Sequence, residues 1–386
     1  MFVMLSGAAW RAYGQQAIGE TTSGLLEAPK AENSTDVSET GKGTNTAAGP
    51  ADVALNLLKR GNRYFNSGDK RKAIAYYQEA VYTDPHSYPA QRNLGVAFLE
   101  NNQFRDAVGP LERASSLSPR SVDIWNYLGM AYSKLDEFEQ AVTYYRRALE
   151  IDQNSTQAYN ELGYAYINLK RFRDAEAPFT SALSLRPNLS AAKLGLCFVY
   201  SAMENKEEQA FEVCRQAVDL DPDSAAANYL LGHSYFHFAQ YDQALVSFQR
   251  AIELEPQIAP FYLAMGRAKI QLGRYDEALK NFTEALKLQP ELADANVGVG
   301  VVYFHMKKNN AASRAFERAL DIDADSTAAH YGLGLTCLSQ KNRECALQQY
   351  NWLRIQDSSL AERLFREMFR DRIVDARRQS ELLNQR

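Results

Sequence analysis

The sequence predicts an all-α solenoid of nine 34-residue helix–turn–helix units closed by a C-terminal capping helix. Three observations predict it. A column of small residues recurs at a spacing of 34, with one step of 35: Gly61, Gly95, Gly129, Gly163, Cys197, Gly232, Gly266, Gly300 and Gly334. An unbroken alanine column runs in the same register: Ala73, Ala107, Ala141, Ala175, Ala210, Ala244, Ala278, Ala312 and Ala346. Prolines close most units, at Pro85, Pro119, Pro187, Pro222, Pro256 and Pro290. Each lacks a backbone donor and drives its predecessor out of the helical region, so a helix stops there.

The first 50 residues stand apart from this register. Residues 32–49 are dominated by Ser, Thr, Gly, Ala and Glu without an aromatic ring, and such a segment buries too little apolar area to offset its ordering entropy. Residues 1–50 are therefore expected to form a disordered segment. Its start, MFVMLSGAA, is apolar, and Ala12 and Gly14 fit the small-residue places of a signal-peptidase site. Against a signal peptide, no basic residue precedes the run and Arg11 follows it. An ordinary N-terminus and a truncated signal peptide both fit.

The nine units run from about residue 54 to residue 360. Apolar residues recur at helical spacing in each half, as in Trp125, Leu128, Tyr132 and then Ala141, Tyr144, Tyr145, Ala148. Polar turns such as Asn66-Ser67-Gly68-Asp69 separate the halves. The two columns slip together by one residue between Cys197 and Ala210, which places an inserted residue in the fifth turn. Pro89 and Pro260 fall at helix starts, where a missing donor costs nothing, whereas Pro110 and Pro178 fall inside second helices and should kink them. Small columns let two helices approach, with Gly95 opposite Ala107. Rings flank the contact: Tyr64, Phe98, Tyr132, Tyr166, Tyr200, Tyr235 and Tyr303 in one column, and Tyr77, Tyr145, Phe179, Phe248, Phe282, Phe316 and Tyr350 in another. One hairpin cannot bury such a face alone, so stacked neighbours must share a core. After the last unit, Leu360, Leu364, Met368 and Ile373 make an amphipathic pattern, and residues 361–386 read as a capping helix and tail.

The third unit shows W-x2-L-G-x2-Y followed by A-x3-Y and A: Trp125, Leu128, Gly129, Tyr132, Ala141, Tyr145 and Ala148. This pattern resembles the tetratricopeptide repeat. Cys197, Lys269, Cys337 and Leu353 depart from it. The resemblance implies a right-handed superhelix whose first helices line a groove for a peptide or partner protein. By that resemblance, the groove residues are Lys59, Asn62, Asn93, Asn126, Tyr127, Asn160, Tyr164, Phe198, Tyr229, His233, His237 and Tyr331. The asparagines offer both ends of an amide to a peptide backbone, and the rings offer contact area at low entropy cost. For Tyr164 and Phe198, groove and core readings stand level.

Two specialised members of the family are set aside. The carboxylate clamp of co-chaperones is matched at Asn62 and Asn93, but its cationic places hold Leu58, Asp123 and Tyr127, so no anion is held. The asparagine ladder of the O-linked N-acetylglucosamine transferases gives way to Gly195, Leu230, Ala264 and Gly298.

The sequence predicts no enzyme, cofactor or metal site. His233 and His237 share a helical face, but the residues between them include no glutamate and no third ligand is apparent. Gly298-Val299-Gly300 and Gly332-Leu333-Gly334 fall inside repeat helices and are not phosphate loops. A net charge of −4 carries no nucleic-acid footprint, and no run of 18 apolar residues spans a membrane. Cys197 and Cys214 lie on the two helices of the fifth unit, and Cys337 and Cys345 on those of the ninth. They read as two disulfides across hairpins or as small core residues. Disulfides would agree with a signal peptide and an exported, periplasmic location; the alternative is cytoplasmic. The function expected is a scaffold or adaptor gripping a polypeptide in its groove. The alternative is a regulatory or substrate-recruiting subunit of an enzyme or export machine, as in envelope polysaccharide export or glycosyl transfer.

Overall fold

A computed structural model describes residues 49–369. The expected N-terminal tail, its candidate signal sequence and the last part of the expected cap lie outside the described residues, apart from Gly49 and Pro50. Among the described residues there are nineteen helices and no strand. They fall into two compact units, one ending at Val213 and one beginning at Cys214.

In the first unit lie α1 (Pro50–Asn66), α2 (Lys70–Thr83), α3 (Tyr88–Glu100), α4 (Phe104–Leu117), α5 (Val122–Lys134), α6 (Phe138–Ile151), α7 (Thr156–Asn168), α8 (Phe172–Leu185) and α9 (Ser190–Ala202). Helix α10 (Glu207–Leu220) runs across the boundary. In the second unit lie α11 (Ala225–His237), α12 (Tyr241–Leu254), α13 (Ala259–Gln271), α14 (Tyr275–Leu288), α15 (Ala293–His305), α16 (Asn309–Ile322), α17 (Thr327–Ser339), α18 (Arg343–Gln356) and the cap, α19 (Ser358–Met368). Within each compact unit, consecutive helices pack on one another, and each odd-numbered first helix also touches the first helix of the next repeat.

The helix boundaries follow from local chemistry. Six second helices end two residues before Pro85, Pro119, Pro187, Pro222, Pro256 and Pro290. Ser155, Ser224 and Ser326 cap first helices by accepting from the backbone N–H three residues on. Helices α4 and α8 run unbroken through Pro110 and Pro178. Every hairpin turn carries one residue in the left-handed region: Gly68, Asn102, Asp136, Lys170, Asn205, Ala239, Gly273, Lys307 and Lys341. Only two are glycine, so seven turns place a Cβ where it is disfavoured.

The core is built on the glycine and ring columns. A Cβ added at Gly129 would lie 2.5 Å from Tyr145, and one at Gly163 would lie 2.6 Å from Phe179. The glycine's close partner is therefore the ring sixteen residues on, not the alanine column. At Gly95 the nearest atoms belong to Leu111, at 2.5 Å, with the Ala107 carbonyl oxygen only at 3.4 Å. The alanines are fully buried beside this contact. At the C-terminal end, Leu364 and Ala361 of α19 are buried against Tyr331 and Leu353.

Candidate functional site: the first-helix face

The first helices carry the residues expected to meet a partner, and the structure divides them sharply. Lys59 and His237 are exposed, Asn62 and His233 are half-buried, and the remainder are buried. Tyr164, Phe198, Tyr229 and Tyr331 are each at most 5% exposed, which puts these rings in the packed interior. Tyr164 Oη donates to the Ala191 carbonyl at 2.6 Å, and its ring stands edge-on to Phe179. Phe198 stands edge-on to Phe172. Tyr229 packs on His233, Phe248 and Phe261, and the Arg363 guanidinium of the cap lies over Tyr331. Tyr127 lies under the Arg92 guanidinium.

His233 and His237 do not act together. Burial, reinforced by the Arg267 charge, pushes His233 down to about 3, so the ring stays neutral, while His237 points to solvent. Among the described residues no group of three His, Cys, Asp or Glu side chains converges.

The asparagines separate into two kinds. Asn62 Oδ1 accepts from Tyr77 Oη at 2.8 Å and from Asn93 Nδ2 at 2.9 Å, so this pair is committed to internal bonds. Asn126 and Asn160, on the consecutive first helices α5 and α7, differ: the Oδ1 atom of each is buried and has no hydrogen-bond partner. Asn160 Nδ2 donates to Glu161 Oε1 at 3.1 Å. Burial raises the Glu161 carboxyl to about 7, with the Asn160 bond and the Lys134 charge opposing the rise.

A second relationship escaped the sequence reading although its signal was present. The residue sixteen places on is glycine after three of the ring-column phenylalanines and a polar Asn or Glu after Tyr77 and Tyr145. Phe179, Phe282 and Phe316 are met from the next first helix by Gly195, Gly298 and Gly332, where a Cβ would come within 2.3, 2.5 and 2.4 Å of the ring. Tyr77 and Tyr145 carry a hydroxyl into the same space and are followed by polar Asn93 and Glu161. The Tyr145 hydroxyl lies 3.4 Å from Ser133 Oγ; burial and the neighbouring Glu161 charge hold its pKa well above the usual phenol value.

Repeated hairpins of this kind, with successive first helices packed side by side, define a helical-repeat interaction scaffold. Profiles described as tetratricopeptide repeat match residues 58–119, 122–155, 144–177 and 269–334. The chain belongs to the tetratricopeptide repeat family. A profile for anaphase-promoting complex, cyclosome, subunit 3 matches residues 203–285.

Among solved structures, the Cut9–Hcn1 assembly of the APC/C is similar at 15% identity, covering 81% of this chain and 76% of that one, with a TM-score of 0.52. PilF of Pseudomonas aeruginosa is similar at 22% identity over 54% of this chain and 94% of its own, with a TM-score of 0.49. A crystal structure of MamA is similar at 22% identity over 43% of this chain and 96% of its own, with a TM-score of 0.41. At these identities the likeness is one of fold. No curated protein matches the chain. No described helix is long and apolar enough to cross a membrane.

Proposed function

We propose that the chain is a non-enzymatic scaffold that holds a polypeptide segment against the first helices of its N-terminal unit. The observation that carries this reading is the pair of buried, unpartnered amide oxygens at Asn126 and Asn160. A buried acceptor without a donor costs about 1–3 kcal/mol; because Asn126 and Asn160 are themselves enclosed, an outside donor reaches them only as the first-helix face opens to admit it. Backbone N–H groups of an extended segment supply donors at intervals, and two acceptors one repeat apart suit a chain lying across successive first helices. The rings behind them fix the helices rather than touch the partner.

The test is capture from the native extract by the full chain and by its Asn126→Leu and Asn160→Leu variants. A protein retained by the parent and lost by both variants, with helicity unchanged, supports the reading. Retention by all three sinks it. A second reading, a recruiting subunit of a larger enzyme assembly, is favoured by the match of residues 203–285 to an anaphase-promoting complex subunit. Co-purification with a catalytic chain in stable stoichiometry separates it from a free adaptor.

A further inference from the structure

Seven of the nine hairpins close on one contact, a first-helix glycine against the side chain sixteen residues on. The pairs are Gly61 on Tyr77, Gly95 on Leu111, Gly129 on Tyr145, Gly163 on Phe179, Gly232 on Phe248, Gly266 on Phe282 and Gly300 on Phe316. The fifth and ninth hairpins lack it. In the fifth, Cys197 stands at the glycine place and Cys214 at the ring place. In the ninth, Tyr350 follows Gly334 at the same interval, yet the nearest neighbours of Gly334 are Leu364 of the cap and Cβ of Gln349. That hairpin is crossed by a Cys337–Cys345 disulfide with its Cα atoms 5.9 Å apart.

The places joined by Cys337 and Cys345 face each other in other hairpins too. In the first, Lys72 Nζ lies 5.3 Å from the Tyr64 ring centroid; in the seventh, Lys269 Nζ lies 3.3 Å from Glu277 Oε2. Each pair is eight residues apart, as the cysteines are. The site therefore tolerates a non-covalent bridge, and a covalent one appears only where the glycine contact is missing. All four cysteines of the chain fall in these two hairpins, and none is free.

We infer that the Cys337–Cys345 disulfide replaces the glycine contact as the fastening of the ninth hairpin, making the order of that hairpin depend on the thiol–disulfide state of the surroundings. Closure proceeds by exchange with an external disulfide. A cysteine thiolate attacks it, breaking its S–S bond and releasing one thiol; the second cysteine thiolate then displaces the other. Two electrons and two protons pass from Cys337 and Cys345 to the external disulfide, which leaves as two thiols. A dithiol reverses the sequence. In the ninth hairpin it attacks Cys345 Sγ, because Cys345 is half-buried at the start of α18 while Cys337 is 2% exposed. Cys337 leaves as the thiolate and takes up a proton. Opening that hairpin also frees the cap, since Leu364 sits on Gly334 and Arg363 over Tyr331.

The experiment is hydrogen exchange read by mass spectrometry on the full chain, with and without dithiothreitol. Reduction should raise the intact mass by about 4 Da. Peptides from 327–368 should then exchange at least about tenfold faster, while peptides from 88–151 keep their rate. The paired variant Cys337→Tyr with Cys345→Lys reproduces Tyr64 and Lys72, and should keep 327–368 protected in reductant. Should that variant fail to fold, Cys337→Lys with Cys345→Glu reproduces Lys269 and Glu277 and makes the same test. Absence of the mass rise, or unchanged exchange across 327–368 after it, overturns the inference.

Discussion

Gly163 and Gly195 grip a single ring from two helices: a Cβ on either would lie within 2.6 and 2.3 Å of Phe179. The first glycine belongs to the ring's own hairpin and the second to the next. One side chain thus sets both the closure of a repeat and the spacing to its neighbour, so a change at either glycine disturbs both. Gly195→Ala should lower stability by about 1–3 kcal/mol through overpacking. The midpoint of urea unfolding checks this, and an unchanged midpoint would mean that the ring moves aside freely.

Where the ring is Tyr145, the next helix presents Glu161 instead of glycine, and this substitution should make stability depend on pH. The folded carboxyl titrates near 7 against an ordinary 4.5. Between those values the folded state binds a proton that the unfolded state has lost, so stability falls as pH rises from about 4.5 to 7 and then levels. Glu161→Gln keeps an acceptor for Asn160 and removes the charge. It should match the parent below pH 4.5 and exceed it above pH 7, by at most about 3 kcal/mol. Pairing Tyr145→Phe with Glu161→Gly reproduces Phe179 and Gly195 and should abolish the pH dependence. Melting curves across pH 4 to 8 decide it, and a parallel dependence in parent and variants would assign the effect elsewhere.

The turn before α12 offers a gain in stability. Ala239 sits at φ 55, where Gly68 and Gly273 stand in their own turns. Ala239→Gly should stabilise by about 1 kcal/mol, the cost of placing a Cβ in the left-handed region less the added chain entropy. A lowered melting temperature would show that the methyl group contributes contacts worth more than that.

Most of the fold was legible in the sequence because its determinants are local and repeated. A glycine every 34 residues, an alanine column and closing prolines each act within one hairpin, and nine copies amplify the pattern. The site was less legible. A ring at helical spacing, such as Tyr164 or Tyr229, carries no mark of which way its helix turns, and the packing of the next repeat buries it. The distinction between Asn93 and Asn126 was invisible for a related reason. Both are buried amides on first helices, but only Asn93 finds a partner, Asn62 of the preceding repeat. The link between a ring and the residue sixteen places later lay in the sequence throughout, and becomes readable once the helices are known to meet there.

The central claim is that the first-helix face of the N-terminal unit grips a polypeptide through acceptors left unpartnered in the free protein. Asn126→Leu tests it most directly, since the side chain is similar in size and removes the buried orphan oxygen. The free full chain should become more stable by about 1 kcal/mol, because the desolvation cost disappears. A peptide selected on the parent from a random displayed library should bind the variant at least about tenfold more weakly in a calorimetric titration. Equal affinity for parent and variant would contradict the account.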